Sequence, residues 1–372
     1  MKILQCLPRR MRFTAERASS VELCVAEWTS HSRYRQSTTV VAEASDAPPL
    51  LDIPVHRLPP PRKPTSLQLA WEVRKIAPRF DLIVSQQHVP TTARIRALSR
   101  SRPLVLQTHN YIPPIENGRF ARIANAIRRR ELASMSGITM VSHAVREQFH
   151  KDWPGVDVPT EIVSTGFDFS IWKTDTQPED IILVNGRCVE AKGILESALA
   201  CAEFLSHNPS WRAIFILSLV EDADYDARVV AALDRVKDRV RIYRDIPFAE
   251  VRALTARCKI AIVASKWNEP FGRTALEAHA ARVALISSGT GGLREVSGPN
   301  AVYLDAITPE QICRAIAGLA GDEERRNRLV HDALTFAETN FSLGSPGQAA
   351  GSSAISARLD AFFEHVVEKS RR

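Results

Sequence analysis

Short runs rich in Val, Ile and Leu recur along most of the chain, separated by longer stretches of mixed apolar and polar residues. The runs are residues 2–7 (KILQCL), 81–85 (DLIVS), 103–108 (PLVLQT), 138–142 (ITMVS), 181–185 (IILVN), 213–219 (AIFILSL) and 260–265 (IAIVAS). Several are almost continuously apolar rather than alternating, the pattern of strands covered on both faces of a parallel sheet. Residues 66–77, 194–206 and 308–320 have helical length. Strand–helix order occurs in both halves, which predicts an α/β protein with two doubly wound sheets. Residues 173–180 (KTDTQPED) hold no large apolar side chain and read as the connection. The division expected is an N-terminal domain over 1–172, a C-terminal domain over 178–344 and a terminal helix over 353–372. In that helix Leu359, Phe362, Phe363, Val366 and Val367 recur at 3/4 spacing, so one face needs a surface to dock on. Residues 48–64, with seven prolines, and 344–353, rich in Gly, Ser and Ala, read as loops.

A length of 372 residues is enough for two domains with their own cores. No apolar run approaches the ~20 residues of a membrane-spanning helix. The start, MKILQCLPRR, lacks the apolar region and cleavage site of a secretory signal, so the expected location is cytoplasmic, with peripheral attachment to the inner membrane as an option. The six cysteines lie far apart without metal-ligand spacing; they read as reduced core residues, and no metal is expected. Charge separates the halves. Residues 1–175 carry 25 Lys and Arg against 16 Asp and Glu, the remainder 24 against 26. A basic half suits nucleic acid, an anionic membrane or a phosphorylated substrate, and no helix-turn-helix, zinc-finger or RNA-binding signature accompanies it. Arginine outnumbers lysine 39 to 10, which a GC-rich genome explains as readily as a need for bidentate anion binding.

The chemistry concentrates in the second half. After the run at 181–185, Gly186, Arg187, Lys192 and Gly193 fall between a strand and a helix, where open α/β sheets bind ligands. Glycines there allow close approach, and two cations beside a helix start suit a diphosphate; two solvated charges on a loop is the plainer reading. After the run at 260–265 comes Lys266-Trp-Asn-Glu-Pro-Phe-Gly-Arg-Thr-Ala-Leu-Glu277. Pro270 marks a helix start, leaving the amides of Phe271, Gly272 and Arg273 as donors, while Glu269 and Glu277 are carboxylates able to accept paired hydroxyls. A third Gly-rich corner spans 287–295 (SSGTGGLRE).

In this order, G-R-x4-K-G, E-P-F-G-x-x-x-L-E and G-x-G-G-L-x-E-V resemble the retaining, nucleotide-sugar-dependent glycosyltransferases of family 4 (the group 1 type). The resemblance is dense over 180–300 and thinner before it, where Val141-Ser142, Gly166-Phe-Asp168 and Trp172 match. It implies the GT-B fold: two Rossmann-like doubly wound domains facing an interdomain cleft, with the C-terminal helix packing back on the N-terminal domain. It further implies that Arg187 and Lys192 hold the donor diphosphate, Glu269 the transferred sugar with the amides of 271–273, and Glu277 the ribose. His109, in Leu106-Gln-Thr-His-Asn110, matches the histidine that meets the donor sugar, although a lone histidine is more often structural. The partners implied are a nucleotide-sugar donor and a glycan or lipid-linked acceptor, lipopolysaccharide core or another surface polysaccharide, with no cofactor and no obligatory metal. Two other readings stand beside this: transfer to a small soluble acceptor such as a sugar phosphate, or a silent nucleotide-sugar-binding scaffold. A dehydrogenase is disfavoured because no G-x-G-x-x-G follows the first strand.

The sequence departs from the family after that strand. Residues 7–20 (LPRRMRFTAERASS) contain no glycine, and the first in the chain is Gly118. Small residues 18–20 could open a helix, and Arg9, Arg10, Arg12 and Arg17 could meet anions instead. Further on, Arg119, Arg122, Arg129 and Arg130 fall within about 100° of a helical wheel, and Phe120, Ile123 and Ile127 share another face. The plain expectation is a solvated basic face above a core-facing apolar stripe; the sharper one is docking on anionic lipid or a phosphorylated lipid-linked acceptor.

Overall fold

The computed structural model describes residues 1–15, 18–60, 65–344 and 354–371. Arg17, residues 61–64 of the proline-rich stretch and residues 345–353 of the Gly/Ser stretch lie outside the described residues. The chain forms two compact units, Met1–Asp168 with Phe341–Arg372, and Phe169–Asn340. Among the described residues no helix is long and apolar enough to cross a membrane.

The first unit is built on seven parallel strands: β1 (Ile3–Cys6), β2 (Thr38–Glu43), β3 (Val55–Leu58), β4 (Leu82–Gln86), β5 (Leu104–Thr108), β6 (Gly137–Met140) and β7 (Thr160–Ile162). Their order is β3-β2-β1-β4-β5-β6-β7. Leu4, Ile83, Val84 and Leu104 to Leu106 are wholly inaccessible, as continuous apolar strands require when helices cover both faces. Helices α1 (Ser20–His31), α2 (Thr65–Ile76), α3 (Val89–Leu98), α4 (Ala121–Ala133) and α5 (His143–Asp152) connect them. Because parallel crossovers are right-handed, α2 to α5 lie on one face of the sheet and α1 on the other.

One expectation fails on α4. Phe120, Ile123 and Ile127 do not face the core but are 65%, 60% and 51% exposed, and Leu132 is the one buried residue of the helix. Periodicity shows which residues share a face; it does not show which face points inward. Here Leu132 lies on the arc opposite Ile123, so the helix rests on small residues and turns its large apolar side chains outward.

The second unit has six parallel strands, β8 (Glu179–Arg187), β9 (Arg212–Ser218), β10 (Val240–Arg244), β11 (Cys258–Val263), β12 (Ala284–Ser287) and β13 (Val302–Tyr303), in the order β10-β9-β8-β11-β12-β13. Its helices are α6 (Ile194–His207), α7 (Ala223–Ala232), α8 (Phe248–Thr255), α9 (Arg273–Ala280), α10 (Leu293–Ser297), α11 (Pro309–Ala320) and α12 (Glu323–Phe341). The last helix, α13 (Ile355–Arg371), returns to the first unit. Its Leu359, Phe362, Phe363, Val366 and Val367 join one cluster with Ile3, Trp28, Leu82 and Val105, as the apolar spacing requires. Gly137 at the start of β6 makes room for it, since a Cβ there would sit 2.8 Å from Phe362 Cζ. Asp360 fixes the helix by accepting from Ser32 Oγ at 2.6 Å and from the Arg33 amide at 2.9 Å. The cysteines are all free, five of them buried.

Candidate active site

In the second unit β8 and β11 are neighbours, yet the chain leaves β8 toward β9 and β11 toward β12, in opposite directions across the sheet. At such a reversal the connections diverge and leave a crevice beyond the carboxyl ends of the two strands. The two charged motifs of the sequence are the loops that follow these strands.

After β8, Gly186 and Arg187 are still paired with Leu217 and Ser218 of β9, so Arg187 is the last residue of the strand rather than a loop residue. Its side chain is exposed. A single helical turn over Glu190–Lys192 follows, ended by Gly193 at φ 63°. A Cβ on Gly193 would stand 2.1 Å from the carbonyl oxygen of Ala264, so glycine here lets the β8 loop lie directly on the end of β11. The Lys266 amide donates to Ala191 O at 2.8 Å and joins the two loops again.

That contact brings the motifs together. Lys192 Nζ pairs with Glu269 Oε1, which also accepts from Ser265 Oγ. Lys192 further lies 5.3 Å above the Trp267 ring, so its charge is held between a carboxylate and an aromatic face. Glu269 is only 6% exposed, and a carboxylate so buried is tolerable because cation and hydroxyl both reach it. The third Gly-rich corner closes over the same loop. The Gly292 amide donates to Glu269 O at 2.7 Å, Thr290 Oγ1 donates to Trp267 O at 2.8 Å, and a Cβ on Gly292 would lie 2.7 Å from Phe271 Cα.

Gly272, at φ 108°, opens α9 without a side-chain cap. Glu277, one turn into α9 and buried, accepts from Arg273 Nε at 3.0 Å and from Asn185 Nδ2 at 3.5 Å. Arg187 at the end of β8, Lys192 on the loop after it, Glu269, Phe271 and Gly272 on the loop after β11, and Arg273 and Glu277 on α9 therefore all stand at or beyond the carboxyl ends of the two strands. Asn185, Ser265, Trp267 and Thr290 were not singled out by sequence reasoning. Asn185 precedes Gly186, and Ser265 ends the strand run four residues before Glu269, but their partners lie 92 and 4 residues away and only strand adjacency reveals the first.

The first unit repeats the topology, with β1 beside β4. His109 follows β5, donates its amide to Gln87 Oε1 at 2.6 Å and lies 2.7 Å by Nε2 from Gln86 Oε1. The Gln86 amide nitrogen donates to Gln5 Oε1 at 2.8 Å and Gln107 Oε1 at 2.9 Å, so its oxygen is the acceptor and His109 carries its proton on Nε2. The ring stacks on Trp28 at 5.5 Å, and burial pushes its pKa down to about 4. His109 is thus a neutral imidazole near pH 7, held on two sides.

The glycine-free loop after β1 is also ordered. Glu22 of α1 accepts from the amides of Arg12 at 2.9 Å, Phe13 at 2.7 Å and Ser19 at 2.8 Å. Arg9 is not available to anions in the way the sequence suggested, because its guanidinium is nearly buried 2.6 Å from Glu43; Arg10 and Arg12 are exposed. Arg122, Arg129 and Arg130 lie on the exposed face of α4, and Arg119 is exposed in the turn just before it. Among the described residues no group of three or more His, Cys, Asp or Glu side chains could hold a metal ion.

Comparison with known proteins places the chain among enzymes. The family model for glycosyl transferases group 1 matches residues 167–335, spanning the crevice loops, and the model for Glycosyltransferase Family 4 matches residues 20–170. The chain is a glycosyltransferase, and its second unit carries the group 1 match. This glycosyltransferase is 22% identical to the Bacillus subtilis protein YtcC over 367 residues, covering 92% of this chain and 88% of that one. It is 26% identical over 245 residues to the lipopolysaccharide core biosynthesis mannosyltransferase LpcC of Rhizobium leguminosarum, covering 61% of this chain and 68% of its relative. Among solved structures, Anabaena Alr3699/HepE in complex with UDP superimposes with a TM-score of 0.76 at 20% identity, over 99% of this chain and all of that one. HepE is also solved with UDP-glucose. At this identity the likeness establishes the fold: two parallel-sheet, Rossmann-like domains.

Proposed function

We propose that the protein moves a hexose from a nucleotide diphosphate sugar to a cell-envelope glycan, with retention of anomeric configuration. The observation that carries this reading is the Lys192–Glu269 pair, roofed by Trp267 and set at the topological reversal beside Glu277. In it Arg187 and Lys192 take the donor diphosphate, with Gly186 leaving room for its approach. Glu269 and the amides of 271–273 take hydroxyls of the transferred sugar, and Glu277 takes the ribose hydroxyls. Cleaving the sugar–phosphate bond puts negative charge on the departing oxygens, and cations already fixed there stabilise that charge without reorganisation. We extend the reading to His109 as a sugar-contacting residue, neutral and so suited to accept or donate a hydrogen bond to a hydroxyl. No side chain is assigned as nucleophile; the departing phosphate takes the acceptor proton on the same face. The reading needs no obligatory metal.

HepE in complex with UDP and UDP-glucose supports a UDP-sugar as the first donor to try, and LpcC supports a lipopolysaccharide acceptor. The test is thermal unfolding with UDP, GDP, ADP and their sugar conjugates, on the parent, Lys192→Ala and Glu269→Ala. A ligand at 100 times its Kd stabilises the folded state by about 2.7 kcal/mol. A shift with one nucleotide family, lost in Lys192→Ala, is the expected result. No shift with any of them refutes the donor site.

A further inference from the structure

We propose that the outer face of α4, together with the groove between α3 and α4, docks on the surface of an anionic lipid bilayer. The exposed Phe120, the N-cap of α4, and Ile123 and Ile127 on the helix are spaced at i, i+3 and i+7. Arg122, Arg129 and Arg130 occupy the adjoining arc of the same exposed half of the helix, and Arg119 is exposed in the turn that leads into it. Single exposed isoleucines are ordinary, but a contiguous apolar stripe edged by arginines is the pattern of a helix lying in a membrane interface, its apolar side among acyl chains and its cations at head-group level. Beside the stripe the groove opens about 730 Å³, lined by Ile127, Arg130 and Glu131 of α4 and by Arg94, Arg96 and Arg100. Arg96 is tied to the carbonyls of Ser134, Arg100 and Arg102 and shapes the wall. Arg94, Arg100 and Arg130 add cations to a trough wide enough for a phosphate head group. On the same side of the sheet α2 exposes Leu67 and Trp71, the latter with Arg74 stacked 4.9 Å above its ring, a pairing suited to a head-group boundary.

Charge selects the occupant. The acidic residues of α4 and the segment before it are Glu116 and Glu131, and Glu131 already faces Arg128 at 3.9 Å. A second copy of this chain would set arginines against arginines, whereas a bilayer of phosphatidylglycerol offers an unlimited negative plane under the apolar stripe.

Pelleting with vesicles of phosphatidylglycerol and phosphatidylcholine, and with phosphatidylcholine alone, tests this. The protein should pellet with the anionic vesicles, be released by salt, and stay in solution with the neutral ones. Each arginine near the surface strengthens attachment about fivefold, so glutamine at 119, 122, 129 and 130 together should weaken it several-hundredfold. Ile123→Ser with Ile127→Ser should weaken it at least about tenfold with an unchanged melting temperature. Equal pelleting with both vesicles, or unaltered pelleting of either variant, overturns the proposal. So does a concentration-dependent dimer in light scattering that Ile123→Ser dissolves, which would make the face a self-interface. Pelleting is measured without donor, so loss of the glycosyl-transfer reading leaves this result standing.

Discussion

Gly186 and Gly193 belong to one motif, seven residues apart, and substituting each by alanine should have opposite consequences. At Gly193 the backbone is left-handed, at φ 63°, and holding an L-residue there costs about 1–2 kcal/mol. The added methyl would also stand 2.1 Å from the Ala264 carbonyl oxygen, a backbone atom that cannot rotate away. Relieving such an overlap costs a further ~1–3 kcal/mol and moves the end of β11, on which Ser265 and Glu269 depend. The sum, roughly 2–5 kcal/mol, corresponds to a loss of about 5–15 °C in melting temperature for a unit of this size. At Gly186 the φ is not positive, and the one atom near an added Cβ is Ile194 Cδ1 at 3.9 Å, an ordinary contact. Gly186→Ala should therefore melt within a few degrees of the parent, inside the ±0.5 kcal/mol of a neutral change. On the proposed donor site its methyl would occupy the approach to the diphosphate, so titration with UDP should show weaker binding in this well-folded variant. Calorimetric melting with and without UDP reads both effects. If Gly193→Ala melts like the parent, or Gly186→Ala loses as much stability as Gly193→Ala, the assignment of one glycine to the fold and the other to the ligand is wrong.

Two further outcomes follow from buried groups. His109 and His279 are both held below the ordinary 6.5, at about 4, by burial. As pH falls the unfolded chain takes up these protons first, so their contribution to stability is whole above pH 6.5, declines between 6.5 and 4 and levels off below. For a buried histidine that window is worth roughly 3 kcal/mol, and His279→Gln, which keeps a group to face Ser297, should flatten the decline in guanidinium titrations across it; an unchanged slope would contradict the cause. Glu22→Gln keeps one carbonyl oxygen for Arg12 and Phe13 but gives Ser19 a donor in place of an acceptor. It should cost about 1–3 kcal/mol and speed hydrogen exchange at the Ser19 amide, and normal protection there would show that the carboxylate is not what shapes the loop.

The strands that the sequence reveals are those whose apolar runs are unbroken, because burial on both faces leaves no polar position to confuse the period. β3 (VHRL), β7 (TEI) and β10 (VRIYR) escaped for the opposite reason: they are edge strands, partly exposed, and their polar residues mask the signal, whereas β2 (TTVVAE), buried between β1 and β3, escaped because threonines and a glutamate bound its short apolar centre. β13 has only two residues. The site divides along the same line. Arg187, Lys192, Glu269 and Glu277 are legible from local motifs, since each stands at the end of a recognisable strand or in the loop and helix start that follow it. The pairing of Lys192 with Glu269 and of Asn185 with Glu277 is not, because it exists only once β8 lies against β11. The α4 stripe fails for a third reason: its residues share a face by period, and solvent rather than core takes that face because Leu132 and small residues on the other arc supply the contact.

The loop after β1 shows how a turn that usually needs glycine can be made without it. Arg10 and Phe13 both take positive φ, 78° and 56°, where each non-glycine residue costs about 1–2 kcal/mol. Three features of the surrounding structure offset that cost. The Phe13 ring is wholly buried with Leu7, Val25, Val40 and Ile53, which at about 1.5–3 kcal/mol for a buried phenylalanine exceeds the strain at that residue. The Glu22 carboxylate orders the amides on either side of the bend, and Glu43 accepts from the Arg10 amide at 3.1 Å while pairing with Arg9. The amides of Arg10, Arg12, Phe13 and Ser19 are committed to Glu43 and Glu22, so the bend cannot offer these four to a phosphate as a glycine-rich turn does. What it presents instead are the side chains of Arg10 and Arg12, longer and charged, which on the proposed function suit an anionic acceptor better than the donor diphosphate proposed for the second unit. Glutamine at both positions should then raise the KM for a phosphorylated glycan acceptor and leave the UDP melting shift intact, and a lost UDP shift would return the loop to the donor side.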